Sequence, residues 1–376
     1  MANPPAISHR PSKWHRPVWW LNVLAAILLL ITFSAPHVPP EAAWGLALLA
    51  MTFPLQVLVH FFFLVYWLFF RRRRMLLSLV LLAIGWNHVQ DHFQLFGRDA
   101  PRTEVAGTPF KFMTYNVRLF DLYNWSGNKI TRDSIFQVFD KERPDILCLQ
   151  EFFHSPDTRF FRTKDALRSQ LGYRSHHDRY THIGRYQTHF GIATFSRHPI
   201  IDTGSVSFEG NPNNQCIWSD ILVRGDTVRV YNAHLASYHF GDEDYRFLEA
   251  LDANVPGDSI RTGGARILKR LRKGIKIRAL EVAAIADHIA HSPYPVIYAG
   301  DMNDVPMSFS YHRLRAYLED AFVQSGRGHG GTYIGRLPPL RIDHIMHSPT
   351  LESWDFQTLS EELSDHRALT CSLAVQ

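Results

Sequence analysis

Pro295-Val296-Ile297-Tyr298-Ala299-Gly300-Asp301-Met302-Asn303-Asp304 reads as a buried strand that ends at a glycine and delivers polar side chains just beyond it. Gly300 lets the backbone turn sharply, and Asp301 and Asn303, two positions apart, are expected to point the same way. A carboxylate beside an amide at a strand mouth suits water and phosphate, because one group takes or orients a proton while the other donates to an anionic oxygen. Alone, the pattern is equally a polar turn. Further sites at comparable strand ends give it weight. Asn116 follows Phe112-Met113-Thr114-Tyr115, Glu151 follows Ile146-Leu147-Cys148-Leu149-Gln150, and His234 sits in Asn232-Ala233-His234-Leu235. Asp343 lies in Arg341-Ile342-Asp343-His344-Ile345, and Asp365-His366 immediately precede the last strand-like run.

These runs belong to an alternating pattern that starts at Phe110. Strands are expected over 110–117, 145–149, 191–195, 217–223, 227–232, 296–299, 342–346 and 368–373, with helices near 133–141, 163–171 and 311–318. Hairpin-like pairs such as 217–223 and 227–232, joined by Arg224-Gly225-Asp226, imply antiparallel pairing. The fold class is α/β with α+β character: two packed mixed sheets with helices outside. A long helix before Pro295 carries an apolar stripe at Leu268, Leu271, Ile275, Ala279, Val282, Ala286 and Ile289. Lys269, Arg270, Arg272, Lys273, Lys276 and Arg278 load its first half with charge, either as a solvated face or as a contact for anionic headgroups or a polyanion. Residues 238–265 show little pattern and read as a mobile insertion beside the site.

Before Gly97 the chain is of another kind. Hydrophobic stretches cover 18–33, 42–70 and 75–96, so about three transmembrane helices are expected in a membrane-anchoring region 1–96, with 97–109 as a linker and 110–376 as the catalytic domain. The first stretch could instead be a cleaved signal peptide, but no convincing cleavage site follows it. Seven of the 40 Lys and Arg and two of the 35 Asp and Glu lie in 1–96, which places the whole +5 there and leaves 33 of each in the rest. The basic pI therefore carries no indication of nucleic acid. Arg10, Lys13 and Arg16 flank the first stretch and Arg71 to Arg74 follow the second, which puts the N-terminus in the cytoplasm and the catalytic domain on the extracytoplasmic face. Trp14, Trp19, Trp20, Trp67 and Trp86 fit interfacial anchoring. His88 and His92 share a helix face, as a metal site or as the polar end of a helix leaving the bilayer. Cys148 and Cys371 sit in apolar runs and read as small buried hydrophobes.

Taken together, the motifs T-Y-N-V, L-Q-E, N-A-H-L, G-D-M-N, R-I-D-H-I and S-D-H-R-A-L, with G-I-A-T-F-S-R-H-P-I at 191–200, resemble the endonuclease/exonuclease/phosphatase superfamily. The resemblance covers Phe110 to the C-terminus. It implies a four-layer α/β sandwich and divalent-metal-dependent hydrolysis of phosphoesters, with Mg²⁺ or Mn²⁺ as cofactor. By that resemblance Glu151, with Asn116 and Asp365, holds the metal; Asp301 orients or deprotonates the attacking water; and Asn303 holds a phosphate oxygen. His366, paired with Asp343, contacts the scissile phosphate, and His234 is a second phosphate contact or the general acid.

Substrate stays open among a lipid headgroup, nucleic acid and a small phosphoester. Zero net charge after residue 96 speaks against an endonuclease, as do Phe152 and Phe153 where deoxyribonuclease relatives tend to carry a basic residue. Tyr115-Asn116-Val117-Arg118 and the basic half of the long helix speak for one. The tether favours a lipid, with the bilayer as partner and no obligate protein partner inferred. A non-catalytic membrane-anchored binding module is the alternative of another class, and it predicts erosion of the motif residues.

Overall fold

The alternation becomes two six-stranded sheets in the computed structural model, which describes residues 15–102, 105, 107–208, 214–250 and 257–376. The strands in chain order are β1 (Phe110–Asn116), β2 (Ile146–His154), β3 (Ser175–Ile183), β4 (His189–Ser196), β5 (Ile200–Val206) and β6 (Gln215–Val223). They continue with β7 (Asp226–His234), β8 (Val296–Asp301), β9 (Glu319–Asp320), β10 (Asp343–His347), β11 (Leu351–Thr358) and β12 (Leu369–Val375). One sheet has the order β11-β12-β1-β2-β4-β3 and the other β5-β6-β7-β8-β10-β9. Each contains one parallel pair, β1 with β2 and β7 with β8, so both are mixed.

The helices are α1 (His15–Thr32), α2 (Pro40–Ala43), α3 (Gly45–Met51), α4 (Phe53–Phe70), α5 (Arg72–Ile84) and α6 (Trp86–His92). After them come α7 (Thr131–Glu142), α8 (Thr163–Leu171), α9 (Asp242–Ala250), α10 (Gly257–Ala290), α11 (Phe309–Arg315) and α12 (Ala321–Ser325). Phe112, Cys148, Val230, Ile297, Leu369 and Cys371 fill the space between the sheets. A second cluster packs Ile135, Phe139 and Leu167 of α7 and α8 on one outer face, and a third packs Val282, Ile285 and Ile289 of α10 on the other. Helix, sheet, sheet and helix thus form four layers. All three cysteines are buried and free.

Strands absent from the sequence reading, β3, β5, β9 and β11, are the four sheet edges. Of these, β3 and β5 are largely solvated, so their residues need not alternate; Ser-His-His-Asp-Arg-Tyr-Thr-His-Ile in β3 is mostly polar, whereas β11 is buried. The expected insertion 238–265 is also corrected, with 251–256 outside the described residues. Its first part forms α9, whose acidic first turn suits a helix N-terminus, and Asp244 there receives Arg266 Nε at 2.6 Å and Arg270 Nε at 3.0 Å from α10. On α10 the stripe runs through Ile275, Ala279, Val282, Ala286 and Ile289 as expected, but Leu268 is exposed and Ile267 takes its place.

The expectation of about three membrane helices is corrected to two. Among the described residues only α1 and α4, 18 residues each, are long and apolar enough to cross a bilayer; at 1.5 Å per residue that is about 27 Å. The stretch 42–70 is broken because Pro40 starts one helix and Pro54 restarts another. The stretch 75–96 breaks at Gly85 into helices of 13 and 7 residues, the second polar. Arg10, Lys13 and Trp14 lie outside the described residues.

The packing of α1, α4 and α5 is inverted relative to a water-soluble bundle. Most of α1 and α4 is not buried, and Trp20, Leu24, Leu55, Leu58, Phe62 and Phe69 stand exposed. Polar groups face inward: Ser78 Oγ donates to Asn22 Oδ1 at 3.0 Å, His60 Nδ1 lies 3.1 Å from Ser78 Oγ, and Thr32 Oγ1 donates to Gln56 Oε1 at 3.0 Å. At one end of the bundle the Arg74 guanidinium lies 5.0 Å from the Trp19 and Trp67 rings. The other end merges with the sandwich, where Leu29, Ala50, Phe53 and Leu81 share a core with Val305, Met307 and Ile342. The expected linker runs close along the domain: Arg98 Nη1 meets Glu352 Oε1 at 2.7 Å, and Gly107 N donates to Val375 O at 3.0 Å.

Gly300 has φ of +135°, and a Cβ there would stand 2.0 Å from Ala233 O of the neighbouring strand. Gly225, in the hairpin turn, has φ of +118° and nothing within 4 Å. Gly300→Ala is therefore expected to cost about 2–4 kcal/mol and Gly225→Ala about 1 kcal/mol, read as the difference in denaturant midpoints. Equal losses would show that the close approach of β7 to β8 does not set this position.

Candidate active site

Three adjacent strands deliver one row of functional side chains. His234 of β7 is in register with Asp301 of β8, and Asp301 is in register with Asp343 of β10. Residues in register on neighbouring strands project to the same face, so a histidine and two carboxylates converge at one sheet end. From the other sheet, β1 ends at Asn116, and Asn116 Nδ2 donates to Asp301 Oδ2 at 3.1 Å. His366, in the segment entering β12, places Nδ1 2.8 Å from Asp343 Oδ2 and Nε2 3.7 Å from Asp301 Oδ2. His234 Nε2 lies 3.7 Å from Asp301 Oδ2 and 3.9 Å from Glu151 Oε1. The orienting partner of Asp301 is the backbone of its own turn: Asn303 N donates to Asp301 Oδ1 at 2.8 Å.

Glu151, His234, Asp301, Asn303, Asp365 and His366 line one cavity of about 220 Å³, with Met51, Tyr238, His239 and Tyr333 on its walls. Asp343 and Asn116 stand behind it, bonded to His366 and Asp301. A larger depression of about 770 Å³ beside α7 and α8 has no such convergence of acid, amide and imidazole. Glu151 reaches the cavity through a local defect. The β2–β4 register shifts between Leu149 and Phe152, and Glu151 itself has φ of +46°, so a bulge re-aims its side chain while Phe152 and Phe153 stay wholly in the core. Those two phenylalanines therefore do not face substrate and carry no argument about nucleic acid.

Burial raises the Asp301 carboxyl to about 6, with the charge of His366 opposing and that of Asp343 adding to the rise. Burial also works against a charged His366, yet the Asp343 and Asp301 carboxylates beside it overcome this and raise the imidazole to about 10. Asp343 is held below the usual carboxylate range although burial pushes it up, because His366 lies against it. Near neutral pH the floor of the cavity is thus an imidazolium between two carboxylates. Asp301, Asp343 and His366 also bring ligand atoms within 4.8 Å of one another. A charged imidazolium repels a cation, so this trio does not fit a metal.

A divalent metal needs oxygen ligands, and Glu151 supplies them: its side chain is 36% exposed toward the cavity and faces only Asn116 Nδ2 at 3.4 Å and His234 at 3.9 Å. The two residues expected to help it are turned elsewhere. Asn116 Oδ1 accepts from Arg118 N at 3.2 Å while its amide nitrogen faces the carboxylates, and Asp365 Oδ2 lies 3.4 Å from Arg118 Nε. Asn303 Nδ2 donates to Leu235 O at 3.1 Å, which leaves its second hydrogen for the cavity.

Two supports were not legible as such in the sequence. Arg278, expected on a charged face, is fully buried, with Nε 3.0 Å from Asp304 Oδ2, Nη1 on Ala236 O at 2.6 Å and Nη2 on Tyr238 Oη at 2.8 Å. It ties the turn after Asp301 to the segment after His234. Its place between Ile275 and Val282, next to Ala279 on the apolar stripe, was the available signal. Beneath the cavity, Gln150 Nε2 donates to Asn232 Oδ1 at 2.7 Å, joining the two sheets between the motifs that carry Glu151 and His234.

The family model described as "Endonuclease/Exonuclease/phosphatase family" matches residues 113–366, and one described as "Domain of unknown function (DUF8431)" matches residues 15–92. No curated protein matches the chain. Among solved structures, an endonuclease/exonuclease/phosphatase from Beutenbergia cavernae superposes with a TM-score of 0.51 at 18% identity, covering 71% of this chain and 72% of that one. The human nocturnin catalytic domain with bound sulfate superposes with a TM-score of 0.50 at 17% identity, covering 73% and 97%. D. rerio TDP2 complexed with single-strand DNA product gives a TM-score of 0.50 at 14% identity, covering 71% and 99%. At these identities the likeness is one of fold.

The Asp343–His366 pairing makes a direct prediction. In Asp343→Asn the imidazole loses its main stabilising charge, so its titration, followed by NMR of the ring protons, is expected to fall from about 10 toward the ordinary histidine range. An unmoved titration would mean that Asp343 does not hold the proton on His366.

Proposed function

The chain belongs to the endonuclease/exonuclease/phosphatase family, whose model spans more than half of it, and we propose on that premise that it is a membrane-anchored phosphodiesterase using Mg²⁺. Members of the family hydrolyse phosphoesters, and this chain is accordingly a phosphoester hydrolase. The reading of its site rests on one observation: the raised Asp301 carboxylate lies 3.7 Å from both His234 Nε2 and His366 Nε2 on the floor of the cavity.

In this reading the scissile phosphate sits between the two imidazoles. Charged His366, locked by Asp343, and the Asn303 amide hold its oxygens. Asp301 takes a proton from water as the water oxygen bonds to phosphorus. The bond to the leaving oxygen breaks on the opposite side, and His234 returns a proton to it. Asn116 keeps Asp301 oriented across the sheet boundary. Glu151 is the carboxylate that would hold Mg²⁺, and Asn116 and Asp365, both engaged by Arg118 here, would join it only by giving up those contacts. The ion's chemistry there is to polarise the phosphoryl oxygen and neutralise charge on the leaving oxygen.

For substrate, the position of the cavity favours a lipid phosphoester. Met51, at the end of α3 and two residues before α4, lines the cavity, and Tyr238 Oη lies 3.8 Å from its sulfur. The catalytic domain sits at the Thr32 and Phe53 end of α1 and α4, opposite Arg71 to Arg74. By the positive-inside rule the arginines favour the cytoplasmic side; the chain returns from them along α4 through α5, shorter than a span, and α6, so the domain, residues 110–376, anchored through 1–96 and 97–109, is read as extracytoplasmic. Lys269, Arg272 and Lys273 of α10 are exposed, and Arg272 stacks near Trp44 at 6.0 Å, so a basic rim stands on the same side as the helices. That rim also supports the second reading, an endonuclease on single-stranded nucleic acid.

Asp301→Asn is expected to lower kcat by roughly 10²–10⁴ with little change in KM, assayed with the full chain in lipid nanodiscs. The wild-type pH–rate profile should rise near 6 as Asp301 ionises and fall near 10 as His366 loses its proton. Glu151→Gln should raise the Mg²⁺ needed for half-maximal rate by about tenfold or more. With sphingomyelin, phosphoinositide and single-stranded DNA offered in turn, turnover of a lipid alone supports the first substrate reading, and turnover of DNA alone replaces it with the second.

A further inference from the structure

Away from the cavity, the junction between α6 and α11 gathers a second set of ligating groups. His88 Nδ1 lies 3.8 Å from Asp91 Oδ2, and His312 Nε2 lies 3.9 Å from the same oxygen. The three ligand atoms all fall within 4.8 Å of one another, and the two imidazole rings meet edge-on with centroids 5.1 Å apart. His88 and Asp91 share a helix face at three-residue spacing, whereas His312 arrives from the catalytic domain. The pairing of His88 with His92 suggested by the sequence does not form. His92 Nδ1 bonds to His88 O at 2.8 Å and its ring packs 5.0 Å from Phe53.

Among the described residues these groups find few partners. His88 Nδ1 and His312 Nε2 are buried and without a hydrogen-bond partner. Asp91 is 6% exposed, and among the described residues its carboxylate accepts one hydrogen bond, a long one from Tyr311 Oη at 3.4 Å, a hydroxyl that also donates to Asp320 at 2.7 Å. Distances of 3.8 and 3.9 Å are too long for hydrogen bonds. A buried polar group left in this state forfeits its hydration with nothing in return. Neither nearby guanidinium bonds to the carboxylate: Arg341 Nη1 goes to Asp320 at 2.8 Å and Nη2 to the Asp91 backbone oxygen at 2.7 Å, and Arg315 Nη1 goes to Leu318 O at 2.9 Å, acting on Asp91 through charge alone.

We propose that His88, Asp91 and His312 bind one Zn²⁺ or a divalent transition metal of similar softness, clamping the N-terminal helices to the catalytic domain. Two imidazoles and a carboxylate are a zinc donor set with one position left for water, and imidazoles disfavour Mg²⁺. A tetrahedral centre with bonds of about 2.0–2.1 Å sets its ligands roughly 3.4 Å apart, so the observed separations need only small side-chain rotations to close. The clamp sits where it bears on the cavity. The α11 helix starts at Phe309, capped by Ser308 whose Oγ accepts from Tyr311 N at 3.1 Å, directly after the turn that carries Asp301 to Asp304. This ion is distinct from the one assigned to Glu151 and does not depend on that assignment.

The test uses full-length protein in detergent, freed of its purification tag, stripped with EDTA and dialysed against Zn²⁺ in excess Mg²⁺. Metal per chain is then measured by mass spectrometry. The wild type and Glu151→Gln are expected to retain one Zn²⁺, and Asp91→Asn and His312→Gln to bind it at least about tenfold more weakly. Co²⁺ in place of Zn²⁺ should give tetrahedral visible absorption in the first two proteins and not in the second two. Zn²⁺ should raise the thermal midpoint of the wild type, while the EDTA-treated wild type and the variants unfold together, which separates loss of metal from loss of fold. Equal Zn²⁺ uptake by wild type and His312→Gln, or no retained Zn²⁺ in the wild type, overturns the proposal; should His312→Gln not fold, His88→Gln carries the same comparison.

Discussion

The carboxylate of Asp301 is buried where two sheets end, and the rest of the site is arranged around keeping it there. Its Oδ2 accepts from Asn116 of the opposite sheet, and its Oδ1 accepts from the turn that follows it. A buried anion without such partners would cost several kcal/mol or pick up a proton. The partners here are incomplete by design of position: two histidines stand 3.7 Å off, too far for hydrogen bonds and close enough to act through charge. That leaves the carboxyl raised to about 6, able to take a proton near neutral pH.

Holding that arrangement falls to groups outside the cavity. The Gln150–Asn232 bond locks the sheets in register beneath it, and buried Arg278 pins the two segments that leave β7 and β8. A fully buried arginine is tolerable because five donors in a rigid fork find a carboxylate, a carbonyl and a hydroxyl together. The strain of positive φ at Glu151 is likewise local and confined to the bulge that aims it. Continuity with the N-terminal helices extends this scaffold: Phe53 and Leu29 share a core with Val305 and Met307, a few residues beyond Asp301. These helices carry an apolar exterior over a polar seam of Asn22, Ser78 and His60.

Central strands and most motif residues were legible because a strand buried on both faces must be apolar along its length, and polar residues at its end then stand out. The six motif positions, from Asn116 at the end of β1 to His366 before β12, came from that contrast. Edge strands were not legible, since β3 and β5 face solvent and need no alternation. The number of span-length helices was overread: hydropathy counts apolar residues, while Pro54 and Gly85 decide where a helix starts and stops.

What the sequence by itself determined is the order of motifs, through which the family resemblance came, and the two-sheet class, because strand and helix patterns depend on residue type and on local periods of two and 3.6. The tertiary structure alone decided that Glu151 turns inward on a bulge, that Asn116 and Asp365 face Arg118, that Arg278 is a buried tie, and that His88 and Asp91 meet His312 rather than His92. Each of those is a contact across a long stretch of chain or a departure from regular geometry. Sequence spacing carries no information about either until packing brings the partners together.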